Sequence, residues 1–339
     1  MNFTIDTITV PPASVRHFRL PAVALPSGAG VEIPVTVVHG AEPGPVLLVT
    51  GATHGIELVG TRALLSLVSA LDPRTLAGTV ISVPVTNPLA FDQSSYGSPQ
   101  DGMHMGLPCY WPASPEGSAT RRLGAALRPL FDAATHYIDL HNNVEPAVPM
   151  SMRFEDSCSS ESVRQQQRLM ADSFGFTSVR MTEPDDDTAQ MVGRMDGHPA
   201  AAASAHGKPG LMVELVDTRG YLGHDLGVAG VRNVMSALGM LTDPVTPQDA
   251  HRLDGDFTFH GLLAASASGI AMPVREPGAL LEKGEEVVHI VDMTGAIVDT
   301  VRMPITGFAW AYLASPHQRN GTMAVNGGHA LAFVAKLEA

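Results

Sequence analysis

PVLLVTGATHGIE, residues 45–57, is the stretch that decides the fold. It is an apolar run that ends in a turn of small residues, and it places His54 and Glu57 three positions apart. A continuous apolar run of this length is typical of a strand buried on both faces, and residues 58–65 are typical of a helix. We therefore expect His54 and Glu57 at the carboxyl end of a central strand, where open α/β sheets place their binding sites.

The side chains of His54 and Glu57 could share one divalent ion. Zinc accepts nitrogen and oxygen ligands at about 2.0–2.2 Å, and an imidazole and a carboxylate on one turn can supply both. The pair alone is a weak signal, because a carboxylate at a helix start beside an unrelated His is common. The metal hypothesis therefore depends on ligands from other parts of the chain.

Length and composition describe a large globular chain. The 339 residues allow two domains, and 45% hydrophobic residues with 33 Gly and 26 Pro fit a chain with many turns. A formal charge of -13 argues against nucleic acid and anionic membranes as partners. The polar start does not resemble a leader peptide and no apolar stretch is long enough to span a membrane, so we expect a cytoplasmic protein. Cys109 and Cys158 are too few for a thiolate zinc site, which leaves His and carboxylate ligands.

The segments around the opening strand follow the βαβ order of a parallel sheet. Helices are predicted at 118–132, 159–174, 197–206 and 222–241. Strands are predicted at 3–10, 17–20, 31–38, 79–85, 137–143, 148–154, 178–181 and 209–216. We therefore predict an α/β domain over residues 1–243, with a mixed, largely parallel sheet flanked by helices.

The pattern changes after a Pro-containing linker at 243–247. Short strands separated by Gly turns follow from residue 258 onward, which is typical of an all-β barrel or sandwich. We predict a β-rich, barrel-like C-terminal domain over residues 244–339. It would narrow the mouth of the site or form a subunit interface in a homo-oligomer.

A third ligand candidate, His141, ends the predicted strand at 137–143. A lone His at a strand end is often structural. Together with His54 and Glu57, however, it completes a set of two His and one carboxylate with an open fourth position, which is the pattern of a hydrolytic zinc site. Asp139, two positions earlier, is expected to face the opposite side of the strand, which argues against a direct contact with His141.

The strand at 209–216 is apolar except for Glu214. A Glu buried there without a partner would be costly, so it needs an ion pair or a chemical role. A carboxylate in apolar surroundings has a raised pKa, which suits a general base that takes a proton from zinc-activated water and passes it to the leaving amine. Pairing with Arg219 or Lys208 is the structural alternative.

At these residues the chain resembles the succinylglutamate desuccinylase/aspartoacylase family, relatives of zinc carboxypeptidases. The resemblance spans most of the chain and is carried by motifs in order: GATHGIE at 51–57, NP at 87–88, DLHN at 139–142, PGLMVEL at 209–215, and C-terminal segments at 273–278, 283–285 and 290–292.

This resemblance implies a carboxypeptidase-like domain that binds one zinc ion through His54, Glu57 and His141, with Glu214 as general base or acid. It also implies hydrolysis of the amide bond in a small N-acyl amino acid or N-acylated amine. We assign Asn87 to substrate binding on the same grounds.

One departure from the family concerns substrate recognition. The family carries an Asn-Arg pair and a further Arg after the Asn-Pro strand, yet this chain has no Arg between Asn87 and Arg121. His104 could instead donate a hydrogen bond to the developing oxyanion. Arg153 could bind a carboxylate with both nitrogens. The hypothesis ranked first is a substrate without an α-carboxylate, such as an N-acylated diamine.

Two other functions are considered. A metallocarboxypeptidase is disfavoured because such enzymes depend most on the missing Arg. A catalytically retired scaffold that uses the C-terminal domain to bind a partner is disfavoured because His54, Glu57, His141 and Glu214 are all present.

Overall fold

The computed structural model describes residues 1–101, 113–144, 146–217, 222–313 and 322–338. The helices in these ranges are α1 (Leu58–Ala70), α2 (Pro88–Asp92), α3 (Ala119–Ala133), α4 (Glu161–Phe174), α5 (Asp186–Val192), α6 (Pro199–Ala205) and α7 (Leu222–Ala237). The strands of the first two thirds are β1 (Phe3–Ile5), β2 (Ile8–Val10), β3 (Ser14–Ala24), β4 (Gly30–His39), β5 (Glu42–Gly51), β6 (Ala77–Val83), β7 (His136–Val144), β8 (Met150–Arg153), β9 (Thr177–Arg180) and β10 (Gly210–Asp217). The C-terminal strands are β11 (Phe257–Ala264), β12 (Gly269–Pro273), β13 (Glu286–Val291), β14 (Ile297–Arg302), β15 (Gly307–Tyr312), β16 (Met323–Val325) and β17 (Ala330–Leu337).

A large mixed sheet forms the centre of the molecule. Its strand order is β15-β17-β11-β9-β8-β10-β7-β5-β6-β4-β3. The four strands β10, β7, β5 and β6 at its middle run parallel to one another. The predicted α/β fold with a mixed sheet is therefore confirmed, and β5 lies inside the sheet as its continuous apolar run requires.

The two faces of the sheet bury separate hydrophobic cores. Leu47, Val49, Ile138 and Leu140 pack on the face covered by α1, α4 and α7. Leu48 and Tyr137 pack on the other face, together with residues of α3 and α6. Because side chains alternate along a strand, this second face also receives the odd-numbered residues of β7 that follow Tyr137.

The N-terminal segment departs from its prediction. Residues 3–10, predicted as one strand, form the two-stranded hairpin of β1 and β2. Asp6 has a backbone φ of 50° at the turn, a left-handed conformation that Asp tolerates better than most residues. A short polar side chain inside an alternating pattern is a weak sequence signal for such a turn.

The C-terminal strands form antiparallel sheets. β11 pairs in parallel with β9 and thereby joins β17 and β15 to the large sheet. β14, β13, β12 and β16 form a separate sheet of their own. Among the described residues these strands do not close into a barrel, because the pairing with β9 extends the central sheet instead. The division of the chain into domains at residue 243 stays a prediction.

The helices described here include none that is both long and apolar enough to cross a membrane.

Candidate active site

The turn between β5 and α1 carries the first two ligand candidates. β5 ends at Gly51, and Glu57 is the residue that immediately precedes the first turn of α1. The backbone N–H of Glu57 donates to the carbonyl of His54 at 3.0 Å, which folds the turn back on itself. Both side chains are therefore presented at the carboxyl end of the central strand.

Gly55 lets this turn pack against α2. A Cβ atom added at Gly55 would lie 2.1 Å from the backbone carbonyl carbon of Ala90. The backbone N–H of Gly55 donates to the carbonyl of Tyr96 at 3.3 Å. The requirement for Gly at this position is therefore a close approach of two backbones.

We expect a Gly55→Ala variant to bind zinc at least about ten-fold more weakly. The turn must move away from α2, and this movement displaces the His54 and Glu57 side chains that it carries. A competition titration with a chromophoric chelator measures the change. Gly30→Ala is the matched control, since the backbone there is not left-handed and a Cβ meets no atom within 4 Å. Unchanged zinc affinity in Gly55→Ala would contradict this account of the turn.

His54, Glu57 and His141 converge in one buried cluster. The Nδ1 atom of His54 lies 2.8 Å from Oε1 of Glu57, and Nδ1 of His141 lies 3.0 Å from Oε2 of the same carboxylate. The two Nδ1 atoms are 3.3 Å apart. The structure therefore brings together the three predicted ligands, whose ligand atoms all lie within 4.8 Å of one another.

The charges in the cluster suit a cation. Burial alone would raise the pKa of Glu57, but His54 and His141 together lower it to about 2, so this side chain is a carboxylate. A neutral imidazole carries one ring lone pair, and the two Nδ1 atoms, 3.3 Å apart beside the Glu57 carboxylate, can direct theirs at one shared ion. One carboxylate and two imidazoles form a donor set that fits a tetrahedral zinc ion with one open position.

Asp139 contacts His141, and the expectation that it would face away was wrong. Its Oδ2 atom lies 3.0 Å from Nε2 of His141, and both side chains are buried. Residues two apart on a strand share a face, so the alternation of side chains could have predicted this contact. Burial alone would lower the pKa of His141, but Asp139 and Glu57 raise it well above the ordinary value.

Glu214 lies beside His141 on the adjacent strand. The two residues are paired in the parallel register of β10 and β7, and their side chains share one face of the sheet. Burial, and then the charge of Glu57, raise the pKa of Glu214 to about 8. The Lys208 ammonium instead donates to the carbonyls of Asp132 and Ala134 at 3.0 and 2.6 Å. Arg219, the other proposed partner, lies outside the described residues.

Asn87 supports the turn that carries His54 from the start of α2. Its side-chain oxygen accepts from the backbone N–H of Ala90 and from the hydroxyl of Ser98, both at 3.1 Å. Its amide donates to the carbonyl of Thr53, next to His54, at 3.4 Å. These contacts hold the turn in place, and the role of Asn87 in substrate binding stays a prediction.

Arg153 does not reach the cluster. It pairs in register with Leu211, three positions before Glu214, which corresponds to about 10 Å along the strand. Its guanidinium is bound by Glu155, by Asp256 at 2.8 Å and by the hydroxyl of Ser178 at 2.7 Å. The other substrate-binding candidate, His104, lies outside the described residues.

Two further rings near the cluster were missed by the sequence analysis. Tyr96 stacks on His54 with ring centroids 3.6 Å apart. His198 is buried, and burial together with the charge of His141 lowers its pKa to about 4, which keeps it neutral. Neither residue belongs to a recognisable motif, so only the folded chain identifies them.

The fold belongs to the carboxypeptidase-like class of α/β folds. A metallo-carboxypeptidase from Burkholderia cenocepacia matches with a TM-score of 0.51 and 16% identity, over 68% of this chain and 65% of that one. A succinylglutamate desuccinylase/aspartoacylase from Rhodobacter sphaeroides matches with a TM-score of 0.77 and 21% identity, over 96% of both chains. These similarities confirm the predicted fold class.

The family follows from the sequence. Residues 43–236 match the family model of the succinylglutamate desuccinylase/aspartoacylase catalytic domain, so the chain belongs to this family of deacylases. An N-alpha-acetyl-L-2,4-diaminobutyric acid deacetylase from Halomonas elongata is 38% identical over 116 residues. That alignment spans 33% of this chain and about a third, 32%, of the relative.

Proposed function

We propose that this protein hydrolyses the amide bond of a small N-acyl compound and that it depends on zinc. The observation that carries the proposal is the convergence of His54, Glu57 and His141 within 4.8 Å, with Glu214 on the neighbouring strand. When bound there, a zinc ion supplies Lewis-acid polarisation and activates water. Membership of a deacylase family supports the same reaction class.

Glu214 is the proton carrier in this proposal. Burial raises the pKa of Glu214 above its ordinary value, so this carboxyl can accept a proton from the attacking water and hold it. Its position beside His141 supports transfer of that proton to the leaving nitrogen. The hydrogen bond with Asp139 keeps the ring of His141 in position during catalysis.

The substrate that fits best is an N-acylated amine carrying a second amino group. Acidic groups are concentrated at the cluster, since the charges of Glu57 and Asp139 both raise the pKa of Glu214. Arg153 is occupied elsewhere by Glu155 and Asp256, so it does not offer its guanidinium to a substrate carboxylate. The diaminobutyrate derivative in the name of the Halomonas elongata relative is consistent with a cationic group on the substrate.

Residues 1–243 act as the catalytic domain in this proposal. The β-rich segment 244–339 narrows the mouth of the site or forms the interface of a homo-oligomer. A cytoplasmic location stays a prediction.

Metal analysis and a substrate panel test the function. We expect about one zinc ion per chain after gentle purification, with activity lost on chelation and restored by zinc. The panel contains N-acetyl-2,4-diaminobutyrate, N-acetylputrescine, N-acetylaspartate and unblocked dipeptides, and the first two should be cleaved fastest. Absence of zinc would overturn the metal proposal, and faster cleavage of dipeptides would favour a carboxypeptidase.

A further inference from the structure

A chain of buried hydrogen bonds leads from the core of the sheet to His141. The hydroxyl of Tyr137 lies 2.7 Å from Oγ1 of Thr50, and that atom lies 2.6 Å from Oδ1 of Asp139. Oδ2 of Asp139 then contacts Nε2 of His141 at 3.0 Å. All four side chains are at most 2% exposed. The chain thus links β5 and β7 directly behind the cluster.

The direction of each hydrogen bond follows from the atoms involved. Asp139 as a carboxylate only accepts hydrogen bonds, so the hydroxyl of Thr50 donates its single proton to Oδ1. Tyr137 must then donate to Thr50, because Thr50 has no second proton. His141 donates from Nε2 to Asp139, so in the neutral imidazole that a metal requires the lone pair is on Nδ1, on the side of Glu57 and His54.

His54 is held in a different way. In the described part of the chain its buried Nε2 atom has no hydrogen-bond partner. The ring is held by the contact of Nδ1 with Glu57 and by stacking on Tyr96. Of the two rings, only that of His141 therefore has its outer nitrogen, Nε2, bonded to a carboxylate among the described residues. That carboxylate is itself held by Thr50 and by the hydroxyl of Thr53 at 3.1 Å.

We propose that Thr50 and Tyr137 are positioning residues that act through Asp139 to fix the tautomer and orientation of His141 in the zinc site. This inference rests on the proposed function, since it concerns the same metal site. Hydrogen-bond partners behind a metal ligand typically change metal affinity by about 10- to 100-fold when they are removed. Neither residue is one of the three ligand candidates, so their effect on zinc is separable from ligation.

The test is the zinc dissociation constant of the full chain, measured by competition with a chromophoric chelator. We expect Thr50→Val to weaken zinc binding by about 10- to 100-fold. Thr50→Ser keeps the hydroxyl and should bind within about three-fold of the wild type. Tyr137→Phe keeps the ring and removes the outermost hydrogen bond of the chain, so it should weaken zinc binding less than Thr50→Val does.

Thr79→Val is the matched control. Thr79 is a buried Thr on the neighbouring strand β6 whose hydroxyl lies 2.9 Å from Nδ1 of His39, so the variant also loses a Thr–His hydrogen bond. It pairs with Val46, four positions before Thr50, and should leave zinc affinity unchanged. Urea unfolding of the metal-free proteins shows whether the two Val variants lose comparable stability.

Zinc binding by Thr50→Val and Tyr137→Phe equal to that of the wild type would overturn the inference while leaving the proposed function intact. Equal weakening in Thr79→Val would also overturn it, because the effect would then be a general loss of packing. If Thr50→Val does not fold, Tyr137→Phe and Thr50→Ser carry the test. A wild-type protein that binds no zinc would remove the proposed function and this inference together.

Discussion

Glu214→Gln is expected to lower kcat by about 10²- to 10⁴-fold, because the amide keeps the shape of the side chain but cannot exchange a proton with water and substrate. Zinc affinity should stay close to that of the wild type, since Glu214 is not part of the ligand cluster. Steady-state kinetics on the best substrate of the panel, with zinc content measured on the same sample, separate these two quantities.

The same variant should change the pH dependence of stability. In the metal-free protein burial and the charge of Glu57 raise the pKa of Glu214 from 4.5 to about 8. The folded state therefore holds an extra proton between these two values, so wild-type stability falls as pH rises through this window. Glu214→Gln removes this loss, and its urea midpoint should exceed that of the wild type at pH 9 and approach it at pH 4.

Glu155→Gln is the matched control for Glu214→Gln. Glu155 is buried as well as paired, since it accepts hydrogen bonds from Arg168 at 2.6 and 2.8 Å and from Arg153. Its replacement should lower stability at neutral pH and leave kcat of the folded protein unchanged. A Glu214→Gln variant that retains wild-type kcat would contradict the assignment of Glu214 as the proton carrier.

Arg153→Ala is expected to destabilise the protein by about 3 kcal/mol with no change in KM. Removing one partner of a buried ion pair costs about 3–5 kcal/mol, and the lower end applies because Arg168 still neutralises Glu155. The pair with Asp256 adds little, since that carboxylate is 64% exposed. Urea unfolding and steady-state kinetics on the same preparation provide both numbers.

Arg128→Ala is the control for an exposed ion pair. Its pair with Asp132 at 3.1 Å lies at the surface and should contribute at most about 1 kcal/mol. A raised KM in Arg153→Ala, with stability unchanged, would indicate that Arg153 binds the substrate. This result would contradict the position that β8 gives to Arg153.

Much of the site could be predicted because its residues follow short, strongly patterned segments. The apolar run from Pro45 to Gly51 places His54 and Glu57 at a strand end, and a second apolar strand does the same for His141. Parallel strands bring their carboxyl ends to one edge, so the three ligands had to meet once the strands were adjacent. Glu214 stood out because it interrupts an apolar strand.

Arg153 shows where the same reasoning fails. As one Arg at the end of a predicted strand it could be assigned to a substrate carboxylate, but β8 runs antiparallel to β10. That direction carries Arg153 away from Glu214 and toward Glu155 and Asp256. The relative direction of two strands depends on long-range pairing, which a local pattern does not contain.

By itself the sequence determined the α/β class, the buried central strand and the identity of the ligand candidates, because local periodicity and residue chemistry are enough for these. Only the tertiary structure decided that Thr50, Tyr137 and Asp139 form one chain behind His141. Thr50 and Tyr137 are 87 residues apart in sequence, and only the pairing of β5 with β7 makes them neighbours. Contacts between distant strands depend on register, and register is fixed by the packing of the whole sheet.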